Sequence, residues 1–238
     1  DRNYPSDACS VQAAIGAVNA VAFDISAACA GFIFAMNIVE GFFKAGIYKT
    51  ALIIGAETLS KVTDWSDRGT CVLFGDGAGA AVLKAEETGI IDMMMGADGT
   101  KGDVLACTSR TVGNFLTGTK PELGFMTMDG QEVFKFAVRK VPESVMELLQ
   151  RTGTKKEDIK YYVLHQANER IIEAAARRLK EPMEKFPMTI SQFGNTSTAS
   201  IPLLLDDMIQ KDMLKRGDKI IMSGFGAGMT WGAVLMEW

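Results

Sequence analysis

An internal duplication constrains this chain more than any other feature. Displacing the sequence by 171 positions lays Cys29 over Ser200 and Gly46 over Gly217, so that SAACAGFIFAMNIVEGFFKAG runs beside STASIPLLLDDMIQKDMLKRG. Each copy opens with small residues, continues with apolar residues at helical spacing, ends in glycine and leads into an apolar strand. The strands are Ala51 to Gly55 and Lys219 to Ser223. After the second, Gly224 to Gly228 reads as a glycine-rich turn before a strand from Trp231 to Met236; after the first, Val72 to Phe74 and Gly79 to Leu83 read as a hairpin joined by Gly75-Asp76-Gly77. Repeated units of this kind bury their apolar faces against each other, which predicts two similar α/β halves whose equivalent helices meet near a pseudo-twofold axis.

We place the halves at residues 1–90 and 91–238. In the second half, a helix over Glu132 to Arg151, a strand over Tyr161 to Leu164 and a helix over Glu169 to Leu179 precede Ser200, a span of 68 positions from Glu132. The first half has 28 residues before Cys29 and no initiator methionine, so it lacks room for the matching units and is expected to be missing its natural N-terminus. Between the halves, 90–131 carries seven glycines from Gly96 to Gly130 and reads as an irregular or hairpin connection. It serves either as a substrate-covering segment or as a plain surface loop.

Composition narrows the function classes. A chain of 238 residues with 47% hydrophobic content can bury a sizeable core, and a net charge of -4 argues against nucleic-acid binding as its main activity. Cys9, Cys29, Cys71 and Cys107 show no paired metal spacing, and one histidine is too few to complete a zinc site, so no metal is expected. Sparse cysteines in apolar or small-residue settings suit thiols in a reducing cytoplasm. No apolar run approaches the ~20 residues that span a bilayer, and no leader is recognisable at the start. A soluble cytoplasmic protein is expected.

Few residues can carry chemistry. Cys29 follows the apolar segment Val21 to Ile25, expected to be a strand, and begins a helix whose free N–H groups and dipole would favour a thiolate nucleophile. From spacing alone, a small buried core cysteine is the commoner use. His165 ends the apolar strand before Gln166-Ala167-Asn168, where open α/β sheets place ligands; it is either a hydrogen-bonding acid/base group or a structural histidine. Asn195 precedes the second central helix, where its amide can face an oxyanion or cap a turn. Gly224 to Gly228 leads into a strand and lacks the P-loop lysine, which excludes nucleotide binding and leaves a tight turn or a backbone N–H donor. Arg170, Arg177 and Arg178 fall on one side of the helix after His165, with an apolar stripe opposite, as a local cationic face or an ordinary solvated one.

Taken together, DISAACAGF around Cys29, HQAN from His165, GNTS around Asn195 and GFGAGMTWG from Gly224 resemble the signature set of β-ketoacyl-acyl carrier protein synthase III, in order, from the first residue to the last. DRGT at 67–70 and FGDGAGA at 74–80 fit as well. The resemblance implies a thiolase-like α/β fold, a layered αβαβα sandwich with its first half incomplete. It implies a Cys29, His165, Asn195 triad that condenses an acyl-coenzyme A primer with malonyl-acyl carrier protein, through an acyl-cysteine and with loss of carbon dioxide.

By the same resemblance, backbone N–H groups of Cys29 and Ala227 form the oxyanion hole, with Ala227 standing where the family has glycine. Arg68 lies at the adenine end of coenzyme A, Asn168 near the pantetheine, and Phe134 in the acyl pocket, while Tyr4 reaches the partner's pocket in a homodimer. Arg170, Arg177 and Arg178 contact the acidic carrier protein. No cofactor is implied beyond the coenzyme A thioester substrate. The family's N-terminal portion, with an adenine-stacking tryptophan, is absent. Elongating synthases use two histidines, and thiolases a second cysteine with two histidines, so one histidine disfavours both. Chalcone-synthase-like and other starter enzymes also use Cys-His-Asn and remain the alternative, beside an inactive acyl- or carrier-binding fragment.

Overall fold

The computed structural model describes residues 4–108, 111–122 and 124–238. In chain order the elements are α1 (Asp7–Ala14), α2 (Gly31–Lys44), β1 (Thr50–Glu57), β2 (Gly77–Lys84), β3 (Ile90–Ala97), β4 (Leu105–Cys107) and β5 (Met126–Met128). There follow α3 (Gly130–Thr152), β6 (Ile159–Leu164), α4 (Glu169–Leu179), α5 (Ile190–Phe193), α6 (Ser200–Gln210), β7 (Lys219–Gly226) and β8 (Thr230–Glu237).

Strands β3, β8, β7 and β6 form one sheet in that order; β6 and β7 run parallel, the other pairs antiparallel. Alternate residues of its strands enter two separate cores. Tyr162, Leu164, Ile221 and Leu235 pack with α3 and α4, while Val163, Ile220, Met222 and Val234 pack with α2 and α6. Cover on both faces explains why these strands read as continuous apolar runs. Beyond α2 and α6 lies the antiparallel pair β1 and β2, which contributes Ile53, Ala81 and Leu83 to the second core. Leu52, Ile54 and Val82, on the opposite face of that pair, are exposed.

The duplication is present as α2–β1–β2 against α6–β7–β8, with a different alignment at its start. Both helices are entered through one 3₁₀ turn, Ala28–Ala30 and Ser197–Ala199, and the first residue of each turn has positive φ, 46° at Ala28 and 51° at Ser197. Cys29 therefore corresponds to Thr198, not to Ser200. Gly46 and Gly217 still correspond as positive-φ residues after the helices. The two-residue difference lies between entrance and exit: Gly46 follows Cys29 by 17 positions and Gly217 follows Thr198 by 19, the second copy having the shorter helix and the longer segment after it.

Two expectations change. Val21 to Ile25 forms no strand, because no neighbouring strand among the described residues offers it a ladder. Val72 to Phe74 forms no hairpin with β2, whose antiparallel partner is β1; Phe74 instead makes a parallel bridge to Asn195. Of the two readings of the 90–131 connection, the antiparallel pair β4 and β5 follows the hairpin one, and β3 in addition adds an edge strand to the main sheet.

Candidate active site

Cys29 sits in the 3₁₀ turn before α2, 7% exposed, with its backbone against the β7–β8 turn. A Cβ on Gly226 would lie 2.5 Å from Cys29 N, so glycine is what lets the strand approach. Burial pushes the Cys29 thiol up to about 11, while a hydrogen bond with Ser197 and the cysteine's own backbone N–H oppose the rise and Glu57 adds to it. Here the sequence expectation is corrected: desolvation outweighs the helix end, and the resting group is a neutral thiol.

His165 follows β6 directly. Its N–H donates to Ser223 O at 2.8 Å, and its ring meets Phe225 edge-on with centroids 5.4 Å apart. Nδ1 lies 2.6 Å from Ser200 Oγ, which leaves Nε2 for the cavity. Burial alone lowers the imidazole to about 3, so it is neutral across the physiological range. The turn behind it is fixed by Gln166, whose amide donates to Leu164 O at 2.7 Å and whose carbonyl accepts from Thr189 N at 3.0 Å.

Asn195 is anchored by its backbone to the segment around Phe74: its N–H donates to Leu73 O, and its carbonyl accepts from Gly75 N, each at 2.9 Å. The side-chain oxygen accepts from Ser197 N at 2.8 Å, so the NH₂ group is left facing the cavity. That cavity, about 210 Å³, brings Cys29, His165 and Asn195 together with Phe225, Gly226, Leu73 and Phe74. The arrangement offers a thiol, an uncharged imidazole and an uncharged amide in apolar surroundings, suited to a nucleophile and, through N–H donors, to a developing oxyanion.

The remaining expected residues divide. Phe134 and Asn168 line the cavity, although the Asn168 side-chain oxygen is committed to capping α4 at Arg170 N, 2.9 Å away. Arg68 is exposed on the loop between β1 and β2 and does not line the cavity; its neighbour Gly69 does. Ala227 also stands outside the lining, in the β7–β8 turn, where its carbonyl accepts from Thr230 Oγ1. Its φ is not positive, so its Cβ is accommodated without backbone strain. Tyr4 is 87% exposed and does not enter this cavity.

On α4, Arg170 and Arg177 are exposed, and Arg177 pairs loosely with Glu173 at 3.8 Å. Arg178 is turned toward α3, donating to Val138 O at 3.2 Å and lying 3.9 Å from Glu143. Sequence reasoning missed Ser197 and Ser200 as neighbours of the thiol and the imidazole. Small residues before a helix were the only signal, and they did not say which side chain they would meet.

Two family profiles match: "3-Oxoacyl-[acyl-carrier-protein (ACP)] synthase III" over residues 23–99 and its C-terminal counterpart over residues 149–238. A beta-ketoacyl-[acyl-carrier-protein] synthase III of Clostridium novyi is 53% identical over 236 residues, covering 98% of this chain and 73% of the relative. The crystal structure of 3-oxoacyl-[acyl-carrier-protein] synthase III from Aquifex aeolicus superimposes with a TM-score of 0.91 at 45% identity, over 100% of this chain and 73% of that one. The priming beta-ketosynthase of the R1128 polyketide pathway superimposes at 0.89 with 33% identity, over 99% of this chain and 71% of that one.

Proposed function

This chain belongs to the β-ketoacyl-[acyl-carrier-protein] synthase III family, and from that premise we propose that it condenses an acyl-coenzyme A primer with malonyl-acyl carrier protein to open fatty-acid synthesis. The observation that carries the reading is the convergence of Cys29, His165 and Asn195 on one cavity, with His165 Nδ1 and Asn195 Oδ1 both engaged away from it.

In the first half-reaction the Cys29 sulfur attacks the primer's thioester carbonyl, and coenzyme A leaves as the thiol with the proton that Cys29 gives up. The tetrahedral oxyanion is held by the backbone N–H groups of Cys29 and Ala227. In the second, the malonyl carboxylate departs as carbon dioxide, and its bonding pair becomes the enolate of the remaining thioester. His165 Nε2–H and the Asn195 amide stabilise that oxygen. The enolate carbon then attacks the acyl-cysteine carbonyl, and the Cys29 thiolate leaves and is reprotonated. Neutral donors suit this step, because an enolate stabilised by hydrogen bonds stays basic enough to form the carbon–carbon bond.

Arg68 lies at the rim for the adenine end of coenzyme A, Asn168 flanks the pantetheine arm, and Phe134 borders the acyl chain. Arg170 and Arg177 offer the exposed charges for an acidic carrier protein, with Arg178 contributing less because it is held by α3. We place the protein in the cytoplasm as a homodimer to which Tyr4 contributes across the interface, with the halves dividing at 90/91. No helix among the described residues is long and apolar enough to cross a membrane.

The test is the intact mass of the chain after incubation with acetyl-coenzyme A, beside Cys29→Ala. An adduct that requires Cys29 is expected. Asn195→Ala is expected to retain the adduct while losing about 10²–10³-fold in malonyl decarboxylation. An adduct persisting in Cys29→Ala would refute the assignment.

A further inference from the structure

One buried side chain next to the triad has an unusually restricted set of partners. Ser200 and His165 are each 2% exposed, and Ser200 Oγ lies 2.6 Å from His165 Nδ1. The same oxygen accepts from Gln166 N at 3.3 Å. Hydroxyls inside helices often return their proton to the carbonyl four residues earlier, as Ser144 does to Lys140 O and Thr152 to Leu148 O, both at 2.8 Å. Ser200 makes no such bond. It is the first residue of α6, and the residues before it follow a 3₁₀ turn. Among the described residues its hydroxyl thus has two partners, and the Gln166 N–H is a donor. Nδ1 is what remains to accept the proton.

We propose that Ser200 is the positioning residue that sets the His165 tautomer, donating its proton to Nδ1 so that Nε2 carries hydrogen and points it into the cavity. Gln166 supports the arrangement, since its side chain is bonded at both ends and holds its own N–H against Ser200 Oγ. The catalytic consequence rests on the condensing reading above. An Nε2–H group is a donor for an enolate oxygen and has no lone pair for the Cys29 proton. Decarboxylation therefore depends on Ser200, while acyl transfer depends on it much less.

The chain contains a single histidine, so ¹⁵N-histidine labelling reports both ring nitrogens of this site without ambiguity. The wild type is expected to show protonated Nε2 and unprotonated Nδ1. Ser200→Ala should move both signals toward a mixture of tautomers, and Ser200→Thr, which keeps the hydroxyl, should move them back. In parallel, Ser200→Ala should lower kcat for malonyl decarboxylation about tenfold with KM little changed, and leave acetyl-adduct formation within about twofold, because a buried ring nitrogen has lost its partner.

Protonated Nδ1 in the wild type, or ring signals unmoved in Ser200→Ala, overturns the proposal. A merely structural role would instead lower thermal stability and both half-reactions together, with no recovery in Ser200→Thr. A chain that shows the expected tautomer shift yet never decarboxylates supports the Ser200 assignment and counts against the condensing reading.

Discussion

Because His165 is the sole histidine, its burial should be visible as a pH dependence of folding. In the folded chain the imidazole is lowered to about 3; in the unfolded chain it titrates near the ordinary value of about 6.5. Between those values the unfolded state binds a proton that the folded state refuses, so stability rises with pH in this window and is lost as pH falls below about 6.5. Going from about pH 7.5 to 5.5 costs about 1.4 kcal/mol from this one group, the equivalent of a tenfold change in the folding equilibrium. The assay is urea unfolding at both pH values in the wild type and in His165→Gln. The carboxylates titrate alike in both proteins, so the wild type should lose about 1.4 kcal/mol more than the variant. Equal losses would refute the idea that a neutral imidazole is sealed in the fold.

Cys29 gives the opposite sign at the alkaline end. With the folded thiol pushed up to about 11, alkylation by iodoacetamide should accelerate through pH 9 to 11 without a plateau near neutrality, and Ser197→Ala should slow it further by removing a hydrogen bond that favours thiolate. Gly226→Ala should abolish the acetyl adduct, since the added Cβ would sit 2.5 Å from Cys29 N, whereas Gly99→Ala, which meets nothing within 4 Å, should retain it. Arg170→Ala and Arg177→Ala should raise KM for malonyl-acyl carrier protein and weaken its salt dependence while leaving kcat close to the wild type. An unchanged KM in the double variant would remove α4 from the docking surface.

What could be read in advance was local or repeated. Helix α4 begins and ends at Glu169 and Leu179 as its apolar stripe indicates, with Asn168 as the cap that the structure adds. The apolar runs of β6, β7 and β8 were visible because both faces of their sheet are covered. What escaped was decided by partners distant in sequence. Phe74 looks like part of a hairpin until Asn195 claims its backbone, and Val21 to Ile25 looks like a strand although no ladder receives it. Cys29 has the sequence of a helix-start nucleophile, but its ionisation is set by how completely the β7–β8 turn closes over it, a quantity that spacing does not encode. The contact between Ser200 and His165 spans 35 positions and depends on Ser200 opening α6 directly after the 3₁₀ turn Ser197–Ala199.

That turn gives Thr198 a specific task. As the counterpart of Cys29, it occupies the silent copy of the reactive position, and its hydroxyl donates to Ala28 O at 2.7 Å, one residue before the nucleophile. A Cβ on Gly31 would lie 2.8 Å from that hydroxyl, and one on Gly55 would lie 2.8 Å from the Thr198 carbonyl carbon. The two copies are thereby interlocked, with no space to equip both. The second repeat thus clamps the backbone beside the nucleophile, so drift at a threonine with no chemistry of its own would be felt directly as misalignment of the thiol.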